Sequence, residues 1–101
     1  MAMVKIEFIG LTTADGNVVA GVKAHFFDQM KARSVALAGA IDALENPLHI
    51  TPDRTDPNTG EISRQYIGQN ATVVYNPKTH FVVSAWPTSS DRVRKYKEIV
   101  L

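Results

Sequence analysis

Cysteine is absent from the chain, which excludes a disulfide framework and any cysteine-based zinc site, and leaves oxidising and reducing compartments equally open. Long apolar runs are absent too. Nothing approaches the ~18 continuous apolar residues of a membrane-spanning helix, so a soluble domain is expected. Charge of one sign is also lacking: eleven Lys and Arg stand against ten Asp and Glu, a formal net charge of +1. No overall basic field marks a nucleic-acid binder, and any such function must rest on a local patch. The N-terminus has no apolar core of a secretory signal, so export is expected to depend on some other segment. The motifs HExxH, GxxxxGK[ST], GxSxG and an Asp-rich calcium loop are missing, which removes support for metalloprotease, P-loop and hydrolase chemistry. There is no internal repeat and no low-complexity stretch.

What is present suits one globular unit over residues 1–101, with 45% hydrophobic and 21% charged residues. The segment MVKIEFIG at residues 3–10 alternates as a short strand, and Asp15-Gly16 follows as a turn signal. Apolar spacing predicts a first helix over residues 22–33. A second is expected over 36–45, with Leu37, Ile41 and Leu44 on one face, ending at Asn46 because the residue before Pro47 disfavours helix. Thr51 to Glu61 is dense in Pro, Asp, Asn and Gly and reads as an exposed loop. Three strand candidates follow within residues 62–86, ISRQYIG, ATVVYN and HFVVSAW, joined by turns that suggest an antiparallel meander. In the last of these, alternation places Phe81, Val83 and Ala85 on one face and Val82, Ser84 and Trp86 on the other. The tail reads either as a helix capped at Ser89 or Ser90 or as a loosely held end. The expected fold class is α+β, N-terminal helices packed on a C-terminal antiparallel sheet of three to four strands. Phe26, Met30, Leu37, Ile41 and Leu44 are the expected helical contribution to the core.

The first helix poses the functional question. With His25 at zero and about 100° per residue, Val22, Phe26, Met30 and Phe27 cover an apolar arc from about 60° to about 200°. Gln29 and Arg33 fall near about 40° and about 80°. His25, Gln29 and Arg33 thus form a polar stripe overlapping the edge of the buried face. One reading makes the stripe structural, with Arg33 complementing the helix C-terminus. The other leaves His25 as a neutral base beside an anion-binding arginine.

The pattern His25-x-x-x-Gln29-Met30-x-x-Arg33, followed by AIDALENP and RQYIGQNATVVYNPKTHFVVSAWPTS, resembles the bacterial toxin domains of the barnase, EndoU, colicin and RelE-like (BECR) ribonuclease group. In particular, it resembles domains at the C-termini of polymorphic and contact-dependent inhibition toxins. There the helix often reads H-x-x-x-R-M-x-x-R and the sheet ends in a V-V-T-x-W-P-like strand. The resemblance spans roughly residues 18–90. Gln29 departs from it where a basic residue is frequent, and Ser84 where threonine is. What it implies is a BECR-like fold, cleavage of RNA without metal or other cofactor, and neutralisation by a cognate immunity protein. It also implies release as the C-terminal part of a larger effector acting in the target-cell cytoplasm, on tRNA or another structured RNA. Whether a host translation factor takes part stays open.

Cofactor-free RNA cleavage needs a base for the 2′-hydroxyl, an acid for the leaving 5′ oxygen and donors around the phosphorane. Of three histidines, His25 is the favoured acid or base, while His49 and His80 sit where exposed, uncommitted histidines usually sit. Arg33 and Arg64 are candidates for the phosphate, and Tyr66, Ser84 and Thr88 for hydrogen-bonding helpers. For Arg64 and Tyr66 the competing role is an edge arginine and an anchoring tyrosine, and for Ser84 a hydroxyl bonded to a neighbouring strand. Ser89, Arg92, Arg94 and Lys95 are candidates for RNA-backbone contact, with a helix cap and a solvated charge run as the alternatives. A non-catalytic RNA- or protein-binding module and a partner-binding protein remain the rival functions.

Overall fold

The computed structural model describes residues 8–100. In chain order it contains β1 (Gly21–Val22), α1 (Phe26–Ala32), α2 (Leu37–Glu45), β2 (His49–Ile50), β3 (Arg54–Thr55), β4 (Ile62–Ile67), β5 (Ala71–Asn76), β6 (Phe81–Pro87) and α3 (Ser90–Val100). The sheet order is β1-β6-β5-β4-β2, with β3 pairing β4 beside that path. β1 runs parallel to β6 and every other pair is antiparallel. The domain is therefore α+β with a mixed sheet, six-stranded among the described residues. Its long strands β4, β5 and β6 are the expected meander; β1, β2 and β3 extend it beyond three to four strands. Each of these three is only two residues long, too short to carry a readable alternation.

Local chemistry sets the boundaries. The first helix begins at Phe26 rather than residue 22, because Gly21 and Val22 pair with Phe81 and Val82 instead. It ends where Ser34 turns left-handed at φ 58°. The Ser34 N–H then donates to Lys31 O at 3.3 Å and the Val35 N–H to Met30 O at 2.8 Å, satisfying the last carbonyls of the helix. α2 stops at Asn46 before Pro47, as expected. Between β5 and β6, Asn76 Oδ1 accepts the Lys78 and Thr79 N–H groups at 2.9 and 3.2 Å, which closes the hairpin. The Ser89 hydroxyl accepts the Arg92 N–H at 3.3 Å, so the tail is a helix with a serine cap. The strand expected over residues 3–10 lies mostly outside the described residues, and Phe8 to Gly10 form a turn.

α1 and α2 cover one face of the sheet. Phe26, Met30, Ala40, Ala43 and Leu44 meet Tyr66, Val73, Tyr75, Val82 and Ala85 there, with Phe8 and Val19 closing the side. Phe26 and Leu44 are fully buried and Met30 nearly so, while Leu37 and Ile41 pack against this core half-buried. Strict alternation in β6 does not hold. Val74 pairs with Ser84 and Tyr75 with Val82, leaving Val83 as a bulge. Val82 and Ala85 consequently both face the core, although alternation assigned them to opposite faces.

Gly68 marks a close approach between α2 and the β4–β5 turn: a Cβ there would lie 2.8 Å from the Ala43 Cα and from the Ala71 carbonyl oxygen. Both obstacles are backbone. Gly68→Ala is expected to lower the unfolding free energy by ~1–3 kcal/mol through overpacking. Ser34→Gly should raise it by ~1 kcal/mol by relieving the left-handed Cβ contact. Urea denaturation of the two variants checks both signs.

Candidate functional site

β1 accompanies β6 only along Phe81 and Val82, so among the described residues the rest of that edge has no strand beside it. α1 lies along this edge. Helical bonding runs without a break from His25 to Arg33, since Gln29 N donates to His25 O and Arg33 N to Gln29 O, each at 2.9 Å. The polar stripe meets the strand at Ser84. Ser84 Oγ donates to Gln29 Oε1 at 2.7 Å, and Arg33 Nη1 donates to Ser84 Oγ at 3.3 Å and to the Ala85 carbonyl at 3.0 Å. Arg33 thereby supplies a donor to a stretch of edge that no described strand pairs. Its Nε and Nη2 have no hydrogen-bond partner among the described residues. His25 is exposed at the helix start and its side chain caps nothing. Eight residues of helix separate it from Arg33, about 12 Å of rise, so the two would act on neighbouring groups of a ligand rather than on one atom.

Arg64 and Tyr66 share a face, as expected, but it is the inner one, and a different partner occupies them. Arg64 donates from Nε and Nη2 to the Asp53 carboxylate at 2.7 and 3.1 Å, and from Nη1 to Asp15 Oδ2 at 2.8 Å. The Tyr66 hydroxyl donates to Asp15 Oδ1 at 2.7 Å, and the Thr13 hydroxyl reaches the same oxygen. Burial pushes the Asp15 carboxyl up, but hydrogen bonds from Thr13, Tyr66, Asn17 and Arg64 outweigh it and bring it down from 3.8 to about 2. Burial likewise raises the Tyr66 phenol. The network ties the loop around the Asp15-Gly16 turn to β4. The Ala14 N–H adds a bond to Leu44 O at 2.9 Å, and the Tyr75 hydroxyl one to Val18 O at 3.2 Å.

The sheet's other face carries α3. Arg92 Nη2 donates to Gln65 Oε1 at 3.2 Å, Tyr96 stacks on His49 with ring centroids 4.4 Å apart, and the Thr88 and Thr72 hydroxyls bond at 2.9 Å. Ser89 caps the helix. Arg94 pairs with Asp91 at 3.7 Å in solvent, and Lys95 lies over the Tyr96 ring at 5.3 Å. His80 is not uncommitted: it is half-buried, left-handed at φ 64°, and its Nδ1 bonds the Tyr75 hydroxyl at 2.7 Å.

The expected catalytic residues therefore fall into three places: His25, Arg33 and Ser84 at the α1–β6 edge, Arg64 and Tyr66 on the inner face toward Asp15 and Asp53, and Thr88 beneath α3. The second group stands apart from the first because β5 and the core lie between them. Gln29, weakened as a functional position by its lack of charge, is the acceptor that orients Ser84. Asp15 looked like a turn residue only, and nothing local in the sequence pairs it with a strand fifty residues on. No group of three or more His, Cys, Asp or Glu side chains is placed to hold a metal among the described residues.

The depressed Asp15 carboxyl links stability to pH. Because its folded value lies below the unfolded one, its contribution is full above about pH 4 and fades as pH falls toward about 2. Asp15→Asn is expected to be less stable at pH 7 by ~1 kcal/mol, allowing for solvent screening, with the gap closing across that acid range. Thermal melts of both proteins from neutral pH to pH 2 measure it.

Comparison of the chain with models of protein families, with curated proteins and with solved structures finds no match.

Proposed function

We propose that this domain is a metal-independent endoribonuclease of the toxin type, with the BECR-like form of the α+β fold. It cuts tRNA or another structured RNA in a target bacterial cell and is neutralised by a cognate immunity protein. The observation that carries this reading is the meeting of Arg33 with Ser84, 51 residues apart in sequence, on the same helical stripe that presents an exposed His25. A proton-transfer group, a cation with free donors and an oriented hydroxyl then border one open edge. In the reaction the 2′-oxygen bonds to the adjacent phosphorus and the P–O5′ bond breaks; His25 takes the 2′-hydroxyl proton or supplies one to the departing 5′-oxygen, and water carries out the other transfer. Arg33 stabilises the charge that develops on the phosphorane oxygens through its unused donors, and Ser84, whose one O–H is given to Gln29, accepts from Arg33 and holds the guanidinium in place. The products are a 2′,3′-cyclic phosphate and a 5′-hydroxyl.

A non-catalytic RNA-binding module is the second reading, favoured by Arg64 and Tyr66. Both strand residues expected near the phosphate are instead held by carboxylates.

Incubation of the purified chain with total RNA in EDTA separates the two, since discrete cleavage supports the enzyme and intact RNA the binding module. In an active preparation, His25→Ala should lower cleavage by ~10²–10⁴-fold with an unchanged melting temperature, because the His25 side chain is exposed and has no hydrogen-bond partner among the described residues. Arg33→Ala should also lose activity, and Arg33→Lys should recover only part of it, lacking the planar fork. An early-melting His25→Ala variant that still cuts normally would remove His25 from the site.

A further inference from the structure

On the face that carries α3, a groove runs between the 51–57 segment and β4. Two adjoining cavities of 330 and 210 Å³ form it, sharing Arg54, Ser63 and Gln65 as walls; Val74 lines one and Arg92 the other. Register explains the composition. Arg54 pairs directly with Ser63, and Gln65 lies two residues further along β4, so all three side chains share a face. Arg92 arrives from α3 and bonds Gln65 Oε1, which leaves the Gln65 amide nitrogen as a donor.

Three arginines thus border one groove: Arg64, which also lines the smaller cavity, is held by Asp53 and Asp15, while Arg54 and Arg92 have no carboxylate partner among the described residues. The nearby acids are engaged elsewhere. Asp53 is held by Arg64, and Asp56, though it lines the groove, accepts the Asn58 and Thr59 N–H groups on Oδ1 at 2.8 and 3.3 Å. Guanidinium groups in excess of the carboxylates around the groove, beside serine and glutamine donors, make a site for phosphate oxygens. Strand register relates the groove to the α1–β6 edge. Gln65 pairs with Val74, and Val74 with Ser84, so one row across three strands leads from Arg92 to Arg33. Two strand spacings make that row about 10 Å long.

From this geometry we infer that the groove of Arg54, Ser63, Gln65 and Arg92 binds a phosphodiester of a single-stranded RNA whose chain continues across β5 to Ser84 and Arg33. The inference rests on the ribonuclease reading for its choice of RNA. Arg54 and Arg92 hold the backbone, and the Gln65 amide donates to a phosphate oxygen or a base edge. The groove anchors the substrate away from the reacting bond and takes no part in proton transfer.

The test uses the whole chain and a 2′-O-methyl RNA oligonucleotide, which binds but cannot be cut, with affinity followed by fluorescence anisotropy over a range of salt. Arg54→Gln and Arg92→Gln should each weaken binding ~5- to 10-fold and reduce the slope of log affinity against log salt by ~0.7. Lys78→Gln, which removes an exposed charge from the β5–β6 turn, should change neither. Melting curves confirm that the variants are folded, and Arg54→Lys should restore part of the affinity. Wild-type affinity and salt slope in both arginine variants overturn the inference, as does a probe that does not bind. So does an acidic peptide that competes for the same arginines when RNA does not, because it would make the groove a protein-docking site. Unmodified RNA in parallel keeps the two claims separate. Cleavage that is indifferent to Arg54 and Arg92 sinks the groove alone, whereas arginine-dependent binding without cleavage sinks the ribonuclease reading alone.

Discussion

Opposite Val74 and Tyr75 of β5 stand Ser84 and Val82 of β6, with Val83 left over between them. That unpaired residue resets the facing of the strand. Val82 and Ala85 turn inward together, where they complete the apolar wall against Phe26 and Met30. Ser84 is released from the core at the point where α1 crosses the β6 side of the sheet, and its hydroxyl meets Gln29 and Arg33. Without the bulge the same residues would bury a serine under the helix or expose a valine. Core and candidate site thus depend on one irregularity, a common position for bulges beside functional edges.

A second constraint is ionic. Arg64 bridges Asp53 and Asp15 from 18% exposure, and Tyr66 beside it is fully buried with its hydroxyl on Asp15. The Asp53 hydrogen bond comes first among the influences that push the Arg64 guanidinium further up. Such a half-buried charge is tolerable because each of its donors has a carboxylate oxygen, and removing a single partner leaves a stranded ion. The arrangement fastens two irregular segments, residues 12–18 and 51–53, to the regular frame of β4. It also takes up Arg64, one of the two arginines expected at the phosphate, and leaves Arg33, Arg54 and Arg92 without a carboxylate partner among the described residues.

The opening question posed by the first helix, a polar stripe running into an apolar one, has a geometric answer. Phe26 and Met30 enter the core while Gln29 and Arg33 pass over the sheet edge, so the stripe is the border between buried and open surface. Arg33 serves both sides: one nitrogen closes the Ala85 carbonyl, and the remaining donors face outward. Its structural and functional roles are compatible because a guanidinium has more donors than one strand edge can use.

Hydrophobic period and turn chemistry, both local properties, let the sequence determine α2 with its stop before Pro47, the three long strands, the Asn76 turn and the shared face of Arg64 and Tyr66, while the tail stayed open between a serine-capped helix and a loose end. Two-residue strands lie beyond that reach: β1 exists because β6 offers it a parallel edge, and β1 in turn delays the start of α1 to Phe26. The bulge at Val83 is also nonlocal, since it is a mismatch of count between two strands and alternation within one strand is blind to it. For the candidate site, the residue types and the stripe on α1 were legible, but their partners were not. Asp15 finds Arg64 across 49 residues, Arg33 finds Ser84 across 51, and Gln65 finds Arg92 across 27. Contacts of that span are set by the packing of helices on the sheet and by strand register. Side-chain chemistry was therefore written in the sequence, and the choice of which groups meet was made only by the tertiary fold.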